Sequence, residues 1–304
     1  MGKRNSHISY FSTQHAPGSQ SKRTTARGQK VCNPHESRNP PCYPESLSSA
    51  FSPHFHHAPE RPERGIRLQS AAFIIAVFEF VLLLFSLSFH ECAHAWMASR
   101  LGDQTARLQG RITLNPMYHI DPIGTLLFPA LVIFGPFIGF SFFSGFLIGW
   151  AKPTPVITRN FKKIVRDDNL TTLAGPISNL ILVCVALVGL IVMEFTMPNG
   201  RQIVPQSFAA ALKLADPSQA HPVALLLSLA ILINLSLFFF NLLPIPPLDG
   251  SRVVRNMLPY RAVQVYDQIG GWLSYLLMIF VGGFLLNLLL WPALDLVFSL
   301  LWRH

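Results

Sequence analysis

Ser88-Phe89-His90-Glu91-Cys92-Ala93-His94-Ala95-Trp96 is the stretch on which the reading of this chain turns. Residues four apart share a helix face, so His90 and His94 can aim ring nitrogens at one metal ion. Glu91 then stands beside the same ion, where a carboxylate can take the proton of a nucleophilic water. The residues before the motif decide its setting. Ala71 to Phe89 is apolar except for Glu79, Ser86 and Ser88, close to the ~20 residues that cross a hydrocarbon layer. The pattern predicts a membrane helix over Ala71–Ala98 with a metal motif at its C-terminal end.

Composition agrees. Of 304 residues, 50% are hydrophobic and 13% charged, which suits a multi-spanning membrane protein. The net charge of +9 is unevenly placed: residues 1–69 hold ten Lys/Arg against four Asp/Glu. That segment lacks apolar periodicity and is rich in Ser, Pro, His and Arg, so it reads as a disordered basic tail. No signal peptide is visible in it. Its His54, His56 and His57 read as a solvated His-containing tract rather than a metal site. Cys32 and Cys42 lie in the tail without a pairing pattern, while Cys92 and Cys184 fall in apolar segments and read as small core residues. No nucleic-acid partner is expected; the lipid bilayer is.

Outward from the motif, Arg100–Asp121 turns polar with a Thr/Arg/Leu alternation that suits a small β-hairpin at the membrane surface. Pro122–Ala151 is thirty residues without a charge, split by Gly135-Pro136. It reads either as a span or as a segment that dips in and returns. Lys152–Arg166 is a basic loop. Asn169–Met193 is an uncharged span, Phe195–His221 a polar loop, and Pro222–Leu248 another uncharged span. Ser251–Tyr266 is polar and basic. Gln268–Leu294 is a last span, which Trp291-Pro292 is expected to end. The fold class is therefore all-α integral membrane, with about four transmembrane helices, a re-entrant segment and a surface hairpin. Residues 70–304 form the membrane-embedded domain.

Two histidines leave a catalytic zinc site one protein ligand short. Asp249 is the leading candidate for the third. An ionisable residue directly after a 32-residue uncharged run (217–248) is costly unless paired or coordinated, and Gly250 permits a sharp turn beside it. At this point the residues resemble a family. His90-Glu91-x-x-His94, Gly175-Pro176-x-x-Asn179 and Asn241-x-x-Pro244-x-Pro246-x-Leu248-Asp249-Gly250 resemble the site-2 protease family of intramembrane zinc metalloproteases, over roughly residues 70–290. Gly149-Trp150-Ala151-Lys152-Pro153 and Arg111-Ile-Thr-Leu-Asn115-Pro116 look like its compact bacterial branch, without a PDZ or CBS domain. The resemblance implies that His90, His94 and Asp249 bind one Zn2+ and that Glu91 is the catalytic base. It also implies that Asn179 and Asn241 lie near the site, where they help hold substrate or oxyanion. The implied substrate is a membrane-anchored protein or peptide whose helix unwinds locally; the polar hairpin could pair with it. Oligomeric state is not indicated.

If the two ligand-bearing spans end at one ion, both ends sit at one membrane face, and this favours the dipping reading of 122–151. The loops 152–166 and 252–261 then fall on that face. Both are basic, so the face is expected to be cytoplasmic in the cell membrane. The charged tail would lie on the other side unless a further half-span exists. Asn179 and Glu79 also admit a plain packing or pairing role. The reading from another class is a zinc-binding or zinc-transporting membrane protein without peptidase activity. A soluble metalloprotease fails on the length of the uncharged runs.

Overall fold

The computed structural model describes residues 62–140, 151–268 and 271–302. The chain divides into two units, Met1–His57 and Ala58–His304, and all of the described residues belong to the second. The expected tail lies outside the described residues as far as residue 61; from Pro62 onward the chain is already helical.

The first helix, α1 (Pro62–Leu101), joins two surfaces of opposite character. Its N-terminal half turns Phe73, Ile74, Val77, Phe78 and Val81 outward. Its C-terminal half buries Ser86, Ser88, His90, Glu91 and His94. Apolar side chains outside and polar ones inside is the arrangement lipid imposes, because only the interior of a bundle offers partners to polar groups. Glu79, in mid-span, meets Lys213 at 3.7 Å.

Between α1 and the next long helix the chain forms α2 (Thr105–Leu108), a 3-10 turn at Pro116–Tyr118 and the broken helical run Pro122–Ile138, whose α-helical part is α3 (Phe128–Phe134). The expected surface hairpin does not form: no described residue of 100–121 is in a strand. Asp103, Asn115 and Asp121 instead accept hydrogen bonds from nearby backbone N–H groups and cap turns. The re-entrant reading of 122–151 is likewise not supported. Pro122–Ile138 is an apolar helix shorter than the spans, it ends at Gly139 in the left-handed region, and 141–150 lie outside the described residues.

α4 (Ile164–Thr196) and α6 (Pro222–Leu242) are the central pair. Between them α5 (Gly200–Ala211) stands where a polar loop was expected. It buries Val204, Ser207, Phe208, Ala210 and Ala211, a spacing of three to four that the surrounding Gln, Arg and Lys residues mask in the sequence. After α6, the basic segment forms α7 (Asp249–Met257) and α8 (Tyr260–Gln268) rather than loop. α9 (Trp272–Leu277) leads through a π-helical turn into α10 (Gly283–Trp302). Trp291-Pro292 does not end this last helix. Pro292 is inside it, because Leu294, Val297 and Leu301 beyond it pack with Leu190, Phe208 and Ile231. Neighbouring helices make a proline tolerable in such a span. Among the described residues, four helices are long and apolar enough to cross a membrane: Gln69–Leu101, Ile164–Thr196, Pro222–Leu242 and Phe280–Leu301. Cys184 is not a core residue. It lies on the exposed face of α4, next to the outward-facing Ile181 and Val185.

Candidate metal centre

α4 faces α1 with small and polar residues. Thr171, Thr172, Ala174, Gly175, Ser178 and Asn179 are all buried there. In lipid no hydrophobic force draws helices together, so close packing of small residues decides where they meet. Gly175 sets the distance. A Cβ there would lie 2.6 Å from His90 Nε2 and would overlap His94 Nε2 as well. Only glycine lets the α4 backbone come this near the two imidazoles.

Each ring is oriented from behind. His94 Nδ1 donates to the Thr171 carbonyl at 2.8 Å, which leaves the lone pair of the neutral ring on Nε2. His90 Nδ1 lies 3.2 Å from the Asn179 side-chain amide. Asn179 Oδ1 is buried without a partner when Nδ2 faces the ring. Turned over, the amide places Oδ1 on His90 Nδ1–H, satisfies that oxygen and frees the Nε2 lone pair. Asn179 is fully buried.

The third group arrives from the far end of the sequence. After α6, Leu243–Leu248 carries a cis Pro246-Pro247 bond and delivers Asp249 to the start of α7. A Cβ on Gly250 would strike the backbone carbonyls of Leu242 and Leu243, so the tight return requires glycine. Asp249 Oδ2 then lies 3.0 Å from His90 Nε2 and 3.3 Å from His94 Nε2. The two Nε2 atoms are themselves 3.0 Å apart. Donors placed tetrahedrally about a zinc at ~2.0–2.2 Å stand about 3.3 Å from one another. The triangle is slightly tight but of the right size and composition, two imidazoles and one carboxylate. Glu91 completes a His90, Glu91, His94 group whose donor atoms all lie within 4.8 Å of one another. Its Oε2, however, is bonded to the backbone N–H of Thr154 at 3.1 Å and to its hydroxyl at 2.8 Å.

These groups open on one cavity of about 480 Å³, whose walls include His90, Glu91, Thr154, Asn241, Asp249 and Arg252. Asn241 is on this wall, with its amide nitrogen on the Leu237 carbonyl. Asn179 is behind His90 instead. α7 is fastened to the head of α4 by Asp168, which takes Arg252 Nη2 at 2.7 Å and Asn256 Nδ2 at 2.7 Å.

The family model described as peptidase family M50 matches residues 78–282, which include every residue just named. The chain belongs to peptidase family M50. Over 217 residues, 71% of its length, it is 36% identical to "Putative zinc metalloprotease YwhC" of Bacillus subtilis (strain 168), covering 84% of that protein. It is 33% identical over 178 residues to "Putative zinc metalloprotease Rip2" of Mycolicibacterium smegmatis, covering 58% of this chain and 56% of that one. The Rip2 of Mycobacterium tuberculosis (strain ATCC 25618 / H37Rv) is 31% identical over 202 residues, covering 66% and 64%. No solved structure matches. M50 membership makes this chain a site-2-protease-like zinc metalloprotease, and its four apolar helices make it a multi-pass membrane protein.

Sequence reasoning did not single out Thr154, Thr171, Asp168 or Arg252. Thr154 sits in Lys152-Pro-Thr-Pro, where nothing in the pattern ties it to a helix 63 residues earlier.

Proposed function

We propose that this M50 protein hydrolyses peptide bonds of membrane-anchored substrates, with zinc held by His90, His94 and Asp249 and with Glu91 as general base. One observation carries the reading. Three donors from two segments 159 residues apart lie within 3.3 Å of one another, on the wall of a cavity that Glu91 also lines. Zinc, when bound there, acidifies the attacking water and polarises the scissile carbonyl. Glu91 takes the water proton as oxygen adds to the carbonyl carbon. The C–N bond then breaks and Glu91 returns the proton to the departing amine. Asn241, on the cavity wall, donates to substrate or to the developing oxyanion through the amide hydrogen not used on the Leu237 carbonyl. Asn179 has its amide against His90 and acts as an orienting group. The substrate helix must unwind to offer its carbonyl, since a helical backbone hides its carbonyls in internal hydrogen bonds. The basic segments 152–166 and 252–261 flank the site and support a cytoplasmic position for it.

The test compares native protein with Glu91→Gln in liposomes holding a membrane-anchored peptide. The variant should keep its zinc by elemental analysis and release no product. Cleavage by Glu91→Gln would remove the glutamate from its role. Zinc flux into the liposomes without cleavage by the native protein would favour a transporter.

A further inference from the structure

We infer that Thr154 is a positioning residue for the general base, presented to Glu91 by an extended strap that is anchored elsewhere. The inference rests on the reading of Glu91 as the base.

The strap, residues 151–157, has no regular secondary structure and runs along the cavity, where Ala151, Pro153, Thr154 and Val156 form part of the wall. Its ends are held by groups other than Glu91. Lys152 N–H donates to the His119 carbonyl at 3.0 Å. Ile157 N–H donates to Asp103 Oδ2 at 2.7 Å, and Asn160 Nδ2 donates to Asp103 Oδ1 at 2.8 Å. Asp103 is fully buried. The path of the strap is thereby fixed on both sides of Thr154, so Thr154 orders the carboxylate rather than being ordered by it.

The contact is one-sided in a way that suits a base. Both Thr154 donors reach the same oxygen, Oε2. The hydroxyl has one proton; at 2.8 Å from Oε2 and 3.2 Å from the Glu91 carbonyl, it serves the carboxylate first. Oε1 takes neither bond and stays available for the proton that the reaction moves. A glutamate on a helix beside a cavity otherwise has three free torsions to order. Two donors on one oxygen restrict those torsions and leave the other oxygen free of both bonds.

Valine tests this because it keeps the branch at Cβ and the backbone N–H while removing the hydroxyl. Native protein, Thr154→Val, Thr154→Ala and Thr154→Ser are assayed in liposomes on a single-span peptide that the native protein cleaves, with zinc measured on each sample. Expected for the Val and Ala variants are full zinc content, unchanged KM and a kcat lower by about 10- to 100-fold, the range for losing a group that orients a site residue. The Ser variant should recover most of the rate. A kcat within twofold of native for the Val and Ala variants overturns the inference. So does a loss of zinc or of folded protein along with activity, or failure of Ser to recover the rate, since each would mark Thr154 as a structural residue only. Glu91→Gln runs in parallel: if it still cleaves, the base reading fails by itself, whatever the Thr154 variants do.

Discussion

At the scale of single residues, the centre is set by what stands behind each ligand. Asn179 is the clearest case. A ring nitrogen can bind a metal only if its partner nitrogen carries the proton, and a buried amide oxygen without a partner is costly, by about 1–3 kcal/mol. With the Asn179 amide turned over, its Oδ1 and His90 Nδ1–H satisfy each other. Asn179→Leu should therefore lower zinc affinity by about 10- to 100-fold, measured by chelator competition. Unchanged affinity together with lost cleavage would instead point to a direct role on substrate. Gly175→Ala should exclude the metal more completely, because the added methyl occupies the space between the two Nε2 atoms; zinc content after purification reads this directly. Asp249→Ala should also strip zinc, and a full complement in that variant would remove Asp249 from the ligand set.

At the scale of elements, two polar knots hold the site together. Asp168 ties α7 to α4 through Arg252 and Asn256. Asp103 ties the strap to the end of α1 through Ile157 and Asn160, while also accepting from Thr105. Burial pushes the Asp103 carboxyl up, but the bonds from Thr105, Ile157 and Asn160 outweigh it and hold it below the ordinary aspartate value of 3.8. A carboxylate with a depressed folded value contributes stability above the unfolded value and loses that contribution as pH falls through the folded one. Asp103→Asn should destabilise by about 1–3 kcal/mol near neutrality. The gap between native and variant should close only as pH drops below 3.8. Thermal unfolding in detergent across pH measures the gap, and a gap that stays constant down to strong acid would refute the assignment.

At the scale of the whole molecule, the site lies where α1 ends, α4 begins and α6 hands over to α7. His94 touches Thr171 near the head of α4, and Asp249 comes just after the end of α6. These three ends therefore share one side, and the α5–α6 connection falls on the other. With the basic segments 152–166 and 252–261 on the site's side, Lys162 should be cytoplasmic and Ser218 should not. Both are exposed. In a background without native cysteines, a membrane-impermeant thiol reagent applied to intact cells should label Ser218→Cys and spare Lys162→Cys. The opposite labelling would invert the topology.

Sequence by itself determined the membrane class, the four long spans and the His90, Glu91, His94 group, because uncharged length and an i, i+4 spacing are local properties of one helix. It also brought Asp249 forward, through the high cost of a lone carboxylate after so long an apolar run. The polar connections it misread, as a hairpin at 100–121 and as loops at 195–221 and 252–261, where α5, α7 and α8 form. There, side chains cap turns or bury a short face, and alternation carries no information about either. Only the tertiary structure decided which groups stand behind the centre: Thr171 and Asn179 on the rings, Thr154 on Glu91, Asp168 on α7. Those partners are 63 to 89 residues apart in the chain. What joins them is the approach of α4 to α1 at Gly175 and the path of the strap along the cavity wall, and neither leaves a periodic trace in the order of amino acids.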